Sequence, residues 1–369
     1  MTESIGHFDF RDLFVLDMAN NHQGSVEHGL KIIDGCADAV AKHGVRAAIK
    51  FQFRNLDTFV HVDHLTGTSS NKHVPRFLST RLSWTQFGEL LNAVKRRGLI
   101  SMCTPFDEAS VDRIAEMGFD VIKVASCSAR DWPLLERVAA TGLPVIASTG
   151  GLLQEQVDDL VSFLEHRGCD FALMHCVSIY PTPDAACHLG NIATFRERYP
   201  GRVIGWSTHE NPADMVQVGL ASALGAEMFE RHVGVATDAI KLNAYSATPA
   251  QVDQWFASWK RAQVLIGSRP RQPALAEERN SPAYWMDLGN RASDGQYLIG
   301  CPGRAVSRDR WRLPTVLEYF PELADDSARA VQRVSPWPGG SNSASSPGTA
   351  RGRTMRAGPG CYGAPTARG

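Results

Sequence analysis

A closed (β/α)₈ TIM barrel with a poorly defined C-terminal extension is the fold this sequence predicts, on three observations. Eight short apolar runs fall at 13–20, 47–53, 100–106, 121–126, 144–149, 171–177, 203–208 and 227–233. Most are continuously apolar rather than alternating, as strands covered on both faces must be. Amphipathic helical patterns lie between them, among them VEHGLKIIDGCADAVAK, TQFGELLNAVKRR, WPLLERVAA, EQVDDLVSFLEHR and PADMVQVGLASAL, and another follows at 249–266. A glycine comes after almost every helix: Gly44, Gly98, Gly118, Gly142, Gly168, Gly201, Gly225 and Gly267. Glycine accepts the left-handed conformation that ends a helix, so its recurrence marks the boundary of each strand-helix unit. Eight such units are the count of a closed barrel. An open doubly wound sheet is the rival, but no GxGxxG follows the first run, where a dinucleotide-binding version would need it.

The barrel domain is expected over 1–268. From 269 to 334 the chain holds one aromatic-rich patch, AYWMDLG, and no repeat that continues the pattern. The tail, 335–369, is rich in Gly, Ser, Pro, Ala and Arg without one acidic residue, and reads as disordered.

A chain of 369 residues, 43% hydrophobic and of formal net charge -1, can bury a large core. Without a basic block it is not built to bind nucleic acid, which requires clustered Lys and Arg. The N-terminus MTESIGHFDFRD carries charges where a secretory signal would be apolar, and no later run approaches a membrane span. A cytoplasmic protein without a membrane partner is expected. The eight cysteines show no CxxC spacing, which favours reduced, mostly buried thiols over disulfides or a zinc ribbon.

In a barrel, reactive groups gather at the carboxyl ends of the strands. The first run ends LDMANNHQG and delivers Asp17, Asn21 and His22. The second ends KFQF, with Lys50 and Gln52 on one side because strand side chains alternate with period two. A lysine inside an apolar run is costly to bury unless it meets an anion or a carboxylate. Thr104 tips the third run, Lys123 and Ser126 the fourth, and Ser148 and Thr149 the fifth, where STGG offers hydroxyls and backbone N–H groups to anionic oxygens. The sixth contributes His175 and Tyr180; a lone histidine there is equally a hydrogen-bonded core residue. The seventh and eighth end in His209 and His232, with Glu230 two residues before the latter. Two imidazoles at matching ends of neighbouring strands, beside a carboxylate, suit a divalent first-row metal. The connection over 54–83 is unusually long: it is either a lid carrying His61, His64, Lys72 and His73 or a solvated surface excursion.

Taken together, the motifs NNHQGS, KFQF, TPFDE, IKVAS, STGG, HCVSIYPTP, GWSTHE, ERHV and SATP resemble, in content and order, the sialic acid (N-acetylneuraminate) synthase family of phosphoenolpyruvate-dependent nonulosonic acid synthases. The resemblance implies a synthase, a transferase of carbohydrate biosynthesis, that condenses phosphoenolpyruvate with an amino-sugar aldehyde to give a sialic-acid-like 2-keto acid and phosphate. It implies metal ligation by His209 and His232, commonly of Mn²⁺, and a phosphoenolpyruvate site around Lys50, Gln52, Thr104, Lys123, Ser126, Ser148 and Thr149. Tyr180 and Glu230 match positions on the sugar side. Asp17 stands where the family usually has a glutamate proposed for acid/base work. Thr208 replaces a usual aspartate and Arg231 a usual lysine, and the loop after the eighth strand differs, with Asn243 and Lys241 as substitutes for sugar contacts. The family's C-terminal antifreeze-like domain, which completes the site of a partner subunit in a homodimer, is not recognisable, and Arg304 is a conceivable stand-in for its arginine. Two alternatives stay open at this level: a barrel aldolase or lyase using another enol donor, and a non-catalytic sugar-binding barrel.

Overall fold

The structure, a computed structural model, describes residues 7–267 except 66–68, 70 and 72, and beyond them only two short strands. Eight strands, β1 (Leu13–Asp17), β2 (Arg46–Phe53), β3 (Ile100–Pro105), β4 (Val121–Val124), β5 (Val145–Ser148), β6 (Phe171–Cys176), β7 (Ile204–Thr208) and β8 (Met228–His232), form a closed barrel in sequence order. Every neighbouring pair is parallel, and β1 closes on β8 with Asp17 opposite both Lys50 and His232. The helices of the outer ring are α1 (Val26–His43), α2 (Trp84–Arg96), α3 (Glu108–Met117), α4 (Trp132–Ala140), α5 (Gln154–His166), α6 (Gly190–Arg198), α7 (Val216–Ala223) and α8 (Pro249–Ile266), and two short helices, Leu56–Phe59 and His73–Ser79, lie in the connection after β2. Helix α8 packs against both α1 and α7 and closes the outer ring.

Local chemistry explains the boundaries. Ser25 caps α1 by accepting from the His28 N–H, and Gly44, at φ 58°, ends it with a bond from its own N–H to the Ala41 carbonyl. Ser83 with Gln86, and Thr248 with Gln251, form reciprocal capping boxes at α2 and α8. The helix expected from residue 212 begins only at Val216, because Asn211 and Asp214 hold an intervening turn with side-chain bonds to Ala213 N–H and Val216 N–H.

Alternation along the strands sorts the core into two clusters. Leu13, Val15, Ala48, Met102, Val121, Ile146, Ala172, Met174 and Met228 fill the barrel interior, with Phe10 from the preceding segment at its amino-terminal end. Phe14, Leu16, Ile49, Phe51, Ile122, Leu173, Trp206 and Phe229 face the helices. Gly205 lies where a Cβ would come within 2.8 Å of Met228, so only glycine leaves room for that methionine inside. Among the described residues no helix is long and apolar enough to cross a membrane.

The chain divides into two compact units, Met1–Gly267 and Ser268–Gly369. Of the second, only an antiparallel pair, Gly289–Arg291 with Tyr297–Ile299, is described. The expected disordered tail and Arg304 lie outside the described residues. All six described cysteines are free, and Cys127 is exposed rather than buried.

Candidate active site

Above the apolar interior layer, the next inward position is polar on seven of the eight strands, the exception being Cys176 on β6. Asp17, Lys50, Thr104, Lys123, Ser148 and Glu230, each two residues after an interior apolar one, and Ser207, two after Gly205, are all buried, as period-two alternation requires. They form a connected chain. The Lys50 ammonium stands 3.0 Å from Asp17 Oδ2 and 3.2 Å from Glu230 Oε1. Lys123 donates to Ser148 Oγ at 2.5 Å and lies 3.6 Å from Glu230 Oε2. Ser207 donates to Glu230 Oε1 at 3.0 Å, and Gln52 Nε2 donates to Asp17 Oδ2 at 3.2 Å.

The two lysines share their carboxylates unequally. Burial alone would lower Lys50, but Asp17 and Glu230 outweigh it and hold the ammonium above its ordinary range. Burial lowers Lys123, and Glu230 offsets this only in part because Lys50 adds a like charge. Burial pushes Glu230 up, yet Lys123 and Lys50 together hold it well below the usual carboxylate range. Lys123 is therefore the cation short of a counter-charge, and an incoming anion would complete it. Around it are orphaned or crowded polar groups. Thr104 Oγ1 and Glu230 Oε2 are buried without a hydrogen-bond partner. A Cβ on Gly150 would meet Ser178 Oγ at 2.5 Å and Ser126 Oγ at 2.9 Å, so this glycine leaves a cradle that a side chain would fill. Ser126 Oγ accepts from the Gly150 N–H at 2.9 Å.

At the strand tips, the rings of His209 and His232 are 5.4 Å apart. His232 Nδ1 lies 3.5 Å from Asp17 Oδ2, which ties the histidine pair to the Lys50 cluster. Burial lowers His209 to about 3, and burial also lowers His232 against the pull of Asp17, so both imidazoles are neutral at pH 7. His209 Nδ1 is 3.0 Å from the Val177 carbonyl. That bond assigns the proton to Nδ1 and leaves Nε2 with a lone pair, the tautomer that ligates metals. The donor set thus fits a divalent ion held by two imidazoles. Among the described residues no group of three or more His, Cys, Asp or Glu converges to hold one, so substrate or solvent oxygens would complete its shell.

Several expected site residues serve other purposes. His175 faces outward: its neighbours Met174 and Cys176 alternate with it, its Nε2 pairs with the Cys187 carbonyl at 2.9 Å, and its ring stacks on Trp206. It is a core histidine, because strand parity places it opposite to the pocket. His22 is buried in the turn after β1, accepts from the Gly24 N–H at 3.1 Å and abuts Phe87; burial lowers it to about 4. Asn21 spends its amide on the Val233 carbonyl and Ser246 Oγ, stitching the loop after β1 to that after β8. Thr149 donates its hydroxyl to the Met174 carbonyl. Asn243 is exposed at the rim, where it accepts from the Tyr245 N–H. Tyr180 is half exposed, its ring 4.1 Å from that of His209.

Strand parity also locates the departures from the family pattern. Thr208 and Arg231 point away from the pocket, and Arg231 pairs with Glu210 at 2.7 Å beneath Trp255. Asp17, despite its shorter stem, reaches Lys50 and Gln52. Sequence reasoning missed Ser207, which shares parity with His209 and so was findable. It also missed Tyr245, whose ring lies 5.2 Å from His232 but comes from an irregular loop, and Arg54, whose guanidinium packs among Phe59, Phe77 and Phe106.

The connection over 54–83 folds back onto the barrel. Arg76 donates to Gln23 Oε1 at 2.6 Å and to the Asn20 carbonyl at 3.1 Å, and Arg81 forms a two-pronged pair with Asp57. His61, His64 and His73 are exposed, and Lys72 lies outside the described residues.

Comparison with known proteins agrees with this architecture. The model of the NeuB family matches residues 37–270. An uncharacterized protein of Methanocaldococcus jannaschii is 30% identical over 259 residues, 70% of this chain and 72% of its own length. The N-acetylneuraminate-9-phosphate synthase of Drosophila melanogaster is 33% identical over 224 residues, but the match spans only 59% of either chain. Among solved structures, a Chromobacterium violaceum protein bearing the name spore coat polysaccharide biosynthesis protein E superposes with a TM-score of 0.73 and 40% identity, over 82% of this chain and 93% of that one. The N-acetylneuraminic acid (sialic acid) synthetase of Leptospira borgpetersenii, crystallised with citrate, gives 0.64 and 27% over 76% and 93%.

Proposed function

The chain belongs to the NeuB family, and from that premise and the polar layer of the barrel we propose that it is a phosphoenolpyruvate-dependent synthase. It condenses phosphoenolpyruvate with an amino-sugar aldehyde to give a nonulosonic 2-keto acid and phosphate. The observation that carries this reading is the Ser148–Lys123–Glu230–Lys50–Asp17 chain, in which two buried ammonium groups share two carboxylates directly below two neutral histidines. Relatives named as N-acetylneuraminate-9-phosphate and N,N'-diacetyllegionaminic acid synthases support the reaction class.

In this scheme Lys123, Ser148 and the Gly150 cradle hold the phosphate, and Lys50 with Thr104 holds the neighbouring carboxylate. That placement lets an anion satisfy the lysine that lacks a counter-charge and the hydroxyl that lacks a partner. His209 and His232 would hold a divalent ion such as Mn²⁺, whose chemistry when bound is Lewis-acid polarisation of the acceptor carbonyl. C3 of phosphoenolpyruvate bonds to the aldehyde carbon, whose oxygen takes a proton and becomes a hydroxyl. Positive charge develops at C2, and Glu230 Oε2, which accepts no hydrogen bond and lies 3.6 Å from Lys123, is the carboxylate oxygen that stabilises it in this scheme. Water adds at C2, and breaking the C2–O bond releases phosphate and leaves the keto group. Asp17, with both oxygens already accepting hydrogen bonds, positions Lys50, Gln52 and His232.

The test is phosphate release from phosphoenolpyruvate with Mn²⁺ and a panel of hexosamine aldehydes. Release that requires both an acceptor and the metal supports the proposal. Aldol product formed when pyruvate replaces phosphoenolpyruvate, with no phosphate released from phosphoenolpyruvate itself, would indicate another enol donor, and binding without turnover would indicate a sugar-binding barrel.

A further inference from the structure

Behind the histidine pair, on the outer face of the barrel, Glu210 directly follows His209 and Arg231 directly precedes His232. Arg231 Nη2 donates to Glu210 Oε1 at 2.7 Å, and the two side chains are only 1% and 3% exposed, beneath the Trp255 ring. Arg231 Nη1 also donates to the Pro212 carbonyl at 3.4 Å, so one guanidinium on β8 grips two points of the segment after β7. The backbone ladder between these strands ends with Thr208 opposite Arg231, one residue short of His209. Among the described residues, the hydrogen bonds that tie 209–212 to β8 are the two from Arg231. His209 is otherwise anchored to the connection after β6: its carbonyl accepts from the Thr182 N–H at 3.0 Å, and its Nδ1 meets the Val177 carbonyl. His232 is fixed on its other flank, where its carbonyl accepts from the Ala247 N–H at 2.8 Å and the next N–H, of Val233, donates to the Asp17 carbonyl at 2.8 Å.

An ion pair this deeply buried adds little net stability over apolar side chains of the same volume, so its position rather than its energy calls for the explanation. Two imidazole nitrogens that share an ion each stand about 2 Å from it, which leaves them no more than about 4 Å apart. The histidines that must meet this condition are anchored to different parts of the barrel, and a small slip of one strand tip against the other would spoil it. Successive side chains of an extended chain project to opposite faces. A clasp between 210 and 231 on the outer face therefore stops either tip from rolling and fixes the direction in which 209 and 232 project inward. We propose that Glu210 and Arg231 are positioning residues, an outer clasp that sets the spacing of His209 and His232 and with it the affinity for the divalent ion. The inference rests on the metal reading proposed above and adds the pair that holds the two ligands in register.

The test is titration of the full chain with Mn²⁺ alone, free ion being read by electron paramagnetic resonance, for wild type, the double variant Glu210→Leu with Arg231→Met, and Arg231→Lys. The double variant removes both charges together and so leaves no lone buried ion. It should bind Mn²⁺ about ten- to a hundredfold more weakly, as loss of a group that orients a ligand does. Its thermal midpoint should not fall, and its affinity for phosphoenolpyruvate, measured by calorimetry without metal, should stay at the wild-type value. A purely structural pair would not separate these readouts. Arg231→Lys, which keeps the charge but not the fork, should retain part of the Mn²⁺ affinity. Wild-type Mn²⁺ affinity in the folded double variant would overturn the inference, and so would a parallel loss of Mn²⁺ and phosphoenolpyruvate, which would make the pair a general support of the barrel. Should the double variant fail to fold, Arg231→Lys decides: weaker Mn²⁺ binding supports the clasp, and unchanged binding overturns it. A wild type that binds no Mn²⁺ would remove the metal reading and this inference together, whereas wild-type binding that the variants keep would remove this inference alone.

Discussion

Two buried ion clusters sit back to back across β8. Inside, Lys50 and Lys123 meet Asp17 and Glu230; outside, one residue along, Arg231 meets Glu210. Both contain polar atoms without partners: Thr104 Oγ1 and Glu230 Oε2 within, Arg231 Nε, Glu210 Oε2 and Thr208 Oγ1 without. An orphaned atom therefore does not by itself mark a site. Access separates the two. The outer pair is 1% and 3% exposed beneath Trp255, whereas the inner cluster leads up to His232, 14% exposed, and to Tyr180 at 50%. The outer cluster is closed and one-to-one; the inner one is open at the strand tips and leaves Lys123 short of a counter-charge.

That contrast can be broken most severely from within. Glu230→Ala removes the carboxylate shared by both lysines, leaving like charges facing each other; stability should fall by about 3–5 kcal/mol, measured by urea unfolding, with phosphate release lost as well. A loss below about 1 kcal/mol would mean that the lysines already find other partners. On the outer side, replacing Glu210 and Arg231 together by Leu and Met should be neutral or stabilising by about 1–4 kcal/mol and should leave phosphoenolpyruvate binding intact. Each single replacement there should instead destabilise by about 3–5 kcal/mol, because a lone buried charge remains. If the double variant lost donor binding, the outer pair would be part of the site.

A smaller effect comes from His22, whose folded-state value is depressed to about 4 from its ordinary 6.5 by burial. The unfolded chain binds this proton more readily, so the stability it contributes is present above 6.5 and is lost as pH falls towards 4. The unfolding midpoint should therefore drop across that window, and less so in His22→Gln. An unchanged slope in the variant would place His22 in a wetter setting than the turn provides.

Much of this could be read from residue order because both devices that set it are local. Glycines at helix ends and apolar runs gave the barrel its count, and parity along a strand gathered Lys50, Gln52, Lys123, Ser148, Glu230 and His232 on one side. Parity would also have excluded His175, which was chosen by residue type, and would have included Ser207. Beyond the strand ends it lapses: Asn21, His22 and Asn243 are engaged in turn chemistry that only the folded loops reveal. Arg54 continues the parity of Lys50 and Gln52, but its aromatic packing brings together Phe59, Phe77 and Phe106 from separate segments, and no spacing rule anticipates that.

The most direct measurement is a crystal structure with phosphoenolpyruvate and Mn²⁺, recorded at the manganese edge. The account predicts an anomalous peak between His209 and His232, with the phosphate of the donor against Lys123 Nζ and Ser148 Oγ. Donor density away from both lysines, with no peak at the histidine pair, would contradict it.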